Sequence, residues 1–162
     1  MDYSDELMQE AFKEASLALE KGEVPVGAIF YDAEKGQIIA RGCNSVNATK
    51  NATRHAEFNC IDQVLNKEAN PRWEKLVLYV NVEPCIMCAS ALIEIKVGTV
   101  FFGCRNERFG GCDSVLKVQD LIASKTKFEG GHRQDEAVNL LKQFYKGENP
   151  NAPEEKRKPA RD

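Results

Sequence analysis

Apolar positions near the start of the chain recur at helical spacing, with Met8, Ala11, Phe12, Ala15, Ala18 and Leu19 on one face. Ser4 stands before Asp5 and Glu6, and Gly22 ends the run, so a first amphipathic helix is predicted. Residues 24–31 then read as a strand, 32–36 as a turn and 37–43 as the hairpin partner. A polar loop at 44–53 leads into a second helix, predicted to start near Thr53 or Arg54 and to run to about Asn66, with Phe58, Ile61, Val64 and Leu65 as its apolar set. Residues 76–82 form a short continuous apolar run, the mark of a strand buried on both faces. Pro84 opens a segment that is apolar nearly all round (Ile86, Met87, Ala89, Ala91, Leu92, Ile93, Ile95), which predicts a buried helix. Residues 98–103 read as the next strand. Strand, buried helix and strand in that order imply a parallel crossover.

The remainder is less regular. Residues 105–112 are glycine-rich and carry Arg105, Asn106, Arg108 and Phe109, at a strand's carboxyl end where open α/β sheets border their ligands. Residues 115–123 read as a short helix or irregular turn, and Phe128 as the start of a brief edge strand. A last amphipathic helix is expected over 134–146, with Ala137, Val138, Leu141, Phe144 and Tyr145 inward. Residues 1–147 thus read as one domain, and the Pro- and Asn-rich, mixed-charge residues 148–162 as a disordered tail. His132 is expected at the surface.

Composition changes this picture in two places. At 162 residues, 43% hydrophobic and 29% charged, the chain is of ordinary globular type, with no apolar run of membrane-spanning length and a polar N-terminus unlike a signal peptide. A net charge of −3 sits awkwardly with phosphate binding, for which Lys156, Arg157, Lys158 and Arg161 are a candidate cluster, diluted by Glu154, Glu155 and Asp162. This raises the expectation of a partner that contributes positive surface. Of six cysteines, Cys43, Cys60, Cys104 and Cys112 lie in apolar or glycine-rich settings suited to reduced thiols, so a cytoplasmic or nuclear protein is expected.

The candidate chemistry lies in His55-Ala56-Glu57 and Pro84-Cys85-Ile86-Met87-Cys88. Catalytic zinc sites use three protein ligands and keep one position open, whereas structural sites close with four. His55, Cys85 and Cys88 supply three. Cysteines three apart fit one side of a helix's first turn, where the positive dipole end favours thiolates. Residues two apart do not share a helix face, so Glu57 would reach the open position as a proton carrier without ligating. Backbone groups around Glu83, Pro84 and Cys85 would orient a substrate. Two other readings stay open: Cys85 and Cys88 as a redox pair, or a structural zinc in a non-catalytic interaction subunit, with Cys60 or Cys104 as fourth ligand.

With these residues in view, the chain resembles the cytidine deaminase superfamily and, within it, the tRNA adenosine deaminases. The likeness is carried by Val24-Pro25-Val26-Gly27-Ala28, Gly42-Cys43-Asn44, His55-Ala56-Glu57, residues 82–88 and Phe102-Gly103-Cys104-Arg105-Asn106. Residues 106–112 and 144–153 are similar to the catalytic subunit of the eukaryotic heterodimeric enzyme. Asn106 stands where bacterial relatives tend to carry aspartate, and residues 124–132 match those relatives poorly. The resemblance implies a three-layer α/β/α fold around a mixed sheet, a zinc ion, and inosine as product at the tRNA wobble position. It also implies the anticodon loop as target and a divergent deaminase-like second subunit, with a homodimer as the other arrangement. By the same resemblance Asn44 would hydrogen-bond the base, and Val26 and Ala56 would line its pocket. A deaminase of free cytosine- or guanine-type bases, nucleosides or nucleotides would carry the same zinc motif, and is the alternative.

Overall fold

The computed structural model describes residues 1–147, and the tail read at 148–162, with its basic cluster, lies outside the described residues. Five strands form one mixed sheet in the order β2-β1-β3-β4-β5. β1 (Gly27–Asp32) pairs antiparallel with both β2 (Gln37–Cys43) and β3 (Leu76–Val82). β3 and β4 (Thr99–Cys104) run parallel across the predicted crossover, whose helix is α4 (Ile86–Glu94), and β5 (Lys127–Glu129) joins β4 in parallel at the edge.

Alternation along the strands sends side chains to two separate cores. On one face Ala28, Phe30, Leu78, Val80, Val100 and Phe102 meet α3 (Ala56–Lys67), α4 and the short α5 (Val118–Leu121). On the other Ile29, Val77, Tyr79 and Phe101 meet α1 (Asp5–Glu20) and α6 (Gln134–Lys146). This is the expected α/β/α arrangement. Every residue of β3 is buried, which is why its sequence, Asn81 apart, is apolar without alternation. Each large side chain removed from water here, such as Phe30, Tyr79 and Phe101, contributes about 1.5–3 kcal/mol. The Ser4 hydroxyl accepts from the Leu7 N–H and caps α1 as its sequence predicts.

Several expectations are corrected. β1 begins at Gly27, not residue 24, because the buried Asn81 side chain takes the Gly27 N–H and donates to the Pro25 carbonyl, each at 2.9 Å. A side chain thus replaces the ladder where the strand was expected to start. The loop at 44–53 contains a single helical turn, α2 (Val46–Thr49). In α3 the face toward the sheet is Ala56, Cys60, Ile61 and Val64, and rotation along the helix leaves Leu65 46% exposed. α4 is buried on one side only, since Ile86 is 38% exposed. Tyr145 points outward at the end of α6. His132 is not a free surface residue: its ring stacks on Tyr3, with centroids 3.8 Å apart and planes at 11°.

β2 is an outer strand, and α3 covers its free edge. The Gln63 amide accepts from the Arg41 N–H and donates to the Arg41 carbonyl, and the Lys67 ammonium donates to the Ile39 carbonyl.

Candidate metal and catalytic site

Two helix starts converge on the face of the sheet that α3 and α4 cover. His55 is the N-cap of α3, in extended conformation, and the helix proper starts at Ala56, later than Thr53 or Arg54 as the sequence had suggested. Glu57 therefore lies in the first turn and His55 just before it. Cys85 is likewise the N-cap of α4, with Cys88 buried in the first turn. His55 Nδ1 lies 3.5 Å from Cys85 Sγ and 3.6 Å from Cys88 Sγ, and the three donor atoms are all within 4.8 Å of one another. Neither Cys60 nor Cys104 joins this set; the Cys60 thiol donates to the Ala28 carbonyl instead. The donors are thus three, soft and borderline, at the positive ends of two helices. They fit zinc with a position to spare, and His55, Cys85 and Cys88 could hold such an ion.

The charges at the site agree with that chemistry. The Cys88 thiol, hydrogen-bonded to Cys85, lowers the Cys85 thiol to about 4 against the opposition of burial, with His55 helping. Cys88 is pushed up in turn, so one thiolate is ready and a divalent cation would displace the proton of the other. Glu57 is 3% exposed, and burial raises its carboxyl above the ordinary range. Its Oε2 is buried with no hydrogen-bond partner among the described residues. A buried carboxylate oxygen left without a partner costs about 1–3 kcal/mol, so something else must answer it when the site is loaded.

The walls are held by polar side chains distant in sequence. Glu83 accepts from the N–H groups of Asn106 (2.9 Å), Cys112 (3.1 Å), Asp113 (2.7 Å) and Ser114 (2.9 Å), and from the Ser114 hydroxyl. Burial opposes its charge, but the Asn106 N–H, the Ser114 hydroxyl and the neighbouring N–H groups outweigh this and hold the carboxyl below its usual range. The Glu83 side chain is therefore committed to the glycine-rich loop, and leaves only backbone groups for a substrate. The loop is drawn against Pro84, Cys85 and Ile86: Gly111 N–H donates to the Pro84 carbonyl (2.9 Å), and Ile86 N–H to the Phe109 carbonyl (2.8 Å). A Cβ on Gly111 would stand 2.7 Å from Ile86 Cα, so this approach requires glycine.

On the opposite side, Asn44 N–H donates to the Val26 carbonyl (2.9 Å) and Ser45 N–H to the Arg54 carbonyl (3.0 Å). These bonds bring Asn44 and Val26 to the residues flanking His55, and Ala56 is fully buried in the first turn of α3. Two buried groups that hold this wall, Glu23 and Asn81, were missed in the sequence. The signal available for Glu23 was a carboxylate between a glycine turn and an apolar stretch; Asn81 showed only as a polar break in an otherwise apolar strand. The purified chain is expected to carry about one zinc per chain, and Cys88→Ala to lose it on dialysis, as read by metal analysis. Full zinc content in that variant would remove Cys88 from the ligand set.

Residues 1–104 match the family described as the cytidine and deoxycytidylate deaminase zinc-binding region. The tRNA-specific adenosine deaminase 2 of Xenopus tropicalis is 53% identical over 160 residues, covering 92% of each chain. A structure solved in a study of A-to-I editing by tRNA:A34 deaminases at the wobble position superposes with a TM-score of 0.79 at 27% identity, covering 85% of this chain and 99% of that one. The guanine deaminase of Nitrosomonas europaea shares the fold, with a TM-score of 0.75 at 20% identity over 89% of this chain and 85% of that one.

Proposed function

Because the chain belongs to the cytidine and deoxycytidylate deaminase family, we propose that it is the catalytic subunit of a zinc-dependent deaminase converting adenosine to inosine at the wobble position of tRNA anticodons. The observation that carries the chemistry is the buried Glu57 oxygen, without a partner among the described residues, beside a cluster of three metal donors. The likeness to adenosine-specific relatives supports the substrate.

Zinc held by His55, Cys85 and Cys88 would polarise a water and lower its pKa toward neutrality. Glu57 takes a proton from the attacking water and carries it to N1 of the adenine as C6 is attacked. It then takes the second proton from the C6 hydroxyl and delivers it to the departing amine, so adenosine and water become inosine and ammonia. Its raised pKa suits both halves of that transfer. Asn44 hydrogen-bonds the base, Val26 and Ala56 line its pocket, and backbone groups at Glu83 and Pro84 orient it. The target adenosine must leave its stack to reach the site, which an anticodon loop permits at low cost.

A second, divergent deaminase-like subunit completes the enzyme. Two observations support this part: the net charge of −3 is poorly suited to holding tRNA alone, and Ile86, Phe109, Leu116 and Ile122 leave apolar surface exposed beside the site. The experiment is inosine formation on a tRNA with adenosine at the wobble position, using the chain alone and with its candidate partner. Activity only with the partner is expected. Activity alone would indicate a self-sufficient homodimer, and turnover of free cytidine or guanine without turnover of tRNA would overturn the substrate.

A further inference from the structure

Glu23 is 2% exposed and has no cationic partner among the described residues, which is unusual for a carboxylate. Its Oε1 accepts from the Ala48 N–H at 2.8 Å. Its Oε2 accepts from the Asn47 N–H and from Asn44 Nδ2, both at 3.1 Å. The carboxylate therefore closes the loop between β2 and α3 onto the entry to β1, and fixes one side chain in passing.

That side chain is Asn44, itself 7% exposed. A carboxylate can only accept hydrogen bonds, so the end of the Asn44 amide that faces it must be the NH2. The Asn44 Oδ1 is then turned away from Glu23, and it accepts no hydrogen bond from the described residues. The backbone on either side of Asn44 is pinned as well: its own N–H bonds Val26, and Ser45 bonds Arg54 beside the metal donor His55. Only the amide flip remains to be set, and Glu23 sets it.

We propose that Glu23 is a positioning residue that acts through Asn44, orienting its amide so that an acceptor oxygen is presented to the base. The assignment rests on the functional reading above, in which Asn44 meets the adenine. Glutamine at position 23 has nearly the same shape but offers one acceptor and one donor. Its NH2 would either confront a backbone N–H or invite Asn44 to turn over.

The test is a double-mutant cycle with the chain assembled with its second subunit: wild type, E23Q, N44A and E23Q/N44A, assayed on the wobble-adenosine tRNA. Each single variant is expected to lower kcat/KM about tenfold, the loss of one oriented hydrogen bond. The double variant is expected to fall no more than about twofold below N44A, because Glu23 has nothing left to orient. A double variant about a hundredfold down, the product of the singles, would overturn the proposal by showing that Glu23 acts through the fold. So would E23Q within twofold of wild type, or E23Q that fails to purify folded with its zinc. A wild-type complex that leaves tRNA unchanged but deaminates a free base would overturn the substrate instead, and the same cycle on that base would still decide Glu23.

Discussion

Glu57→Gln is expected to lower inosine formation by about a hundredfold to ten-thousandfold while zinc content stays that of the wild type. The carboxylate is not one of the three clustered metal donors, so its loss should leave the metal in place. The amide cannot carry a proton from water to the base, so the fall should appear in kcat more than in KM. Stability should move the other way. Glu57 is buried with an unsatisfied oxygen, and replacing it removes a charged group whose burial is unfavourable. The metal-free variant should therefore melt at or above the temperature of the metal-free wild type, a trade of stability for activity typical of catalytic groups. Zinc analysis, single-turnover rates and a melting curve on the same preparations decide the matter. Turnover within tenfold of wild type would take Glu57 out of proton transfer.

The largest effect on folding is expected at Gly27, the first residue of β1. A Cβ there would lie 2.1 Å from the Ala15 nitrogen, 2.4 Å from the Ala11 carbonyl oxygen and 2.6 Å from the Glu14 carbonyl carbon. All three are backbone atoms of α1, which no rotamer change can move aside. Ala11 and Ala15 are themselves fully buried, so helix and strand meet backbone to backbone across small residues. Gly27→Ala should cost at least about 3 kcal/mol, at the upper end for overpacking. In a domain of this size that lowers Tm by about 6–12 °C. Because β1 also leads out of the Val26 wall, activity should fall before the protein unfolds. A melting temperature within about 2 °C of wild type would mean that α1 slides freely on the sheet.

The parts of this fold that were legible in the sequence are those specified locally. α1 and α6 follow from apolar periodicity, with a Ser4 cap in α1 that the structure contains. The continuous run from Leu76 to Val82 is a fully buried strand, as read. The three donors of the metal cluster were legible because chemistry dictates their type and spacing. What could not be read depends on contacts across long stretches of chain. Asn81 reaches a strand start 54 residues away and moves its boundary by three residues. His132 is covered by Tyr3, to which no periodicity connects it. Glu23 sits in a charged stretch, Glu20-Lys21-Gly22-Glu23, and only the fold separates its buried carboxylate from its exposed neighbours. Leu65 and Tyr145 mislead for the opposite reason, being apolar residues just outside the arc that the sheet covers.

The Gln63 and Lys67 contacts along β2 bear on how this protein behaves when crowded. An outer strand with free N–H and C=O groups is a template on which another chain can lay down a strand of its own, seeding fibrous growth. Here an amide side chain imitates the missing neighbour at Arg41, and an ammonium takes the carbonyl of Ile39. At the far end of the sheet the outer strand is only three residues long, and it begins and ends on the charged Lys127 and Glu129. Among the described residues neither rim offers a long unsatisfied ladder, so copies of the chain can be concentrated without zipping together rim to rim.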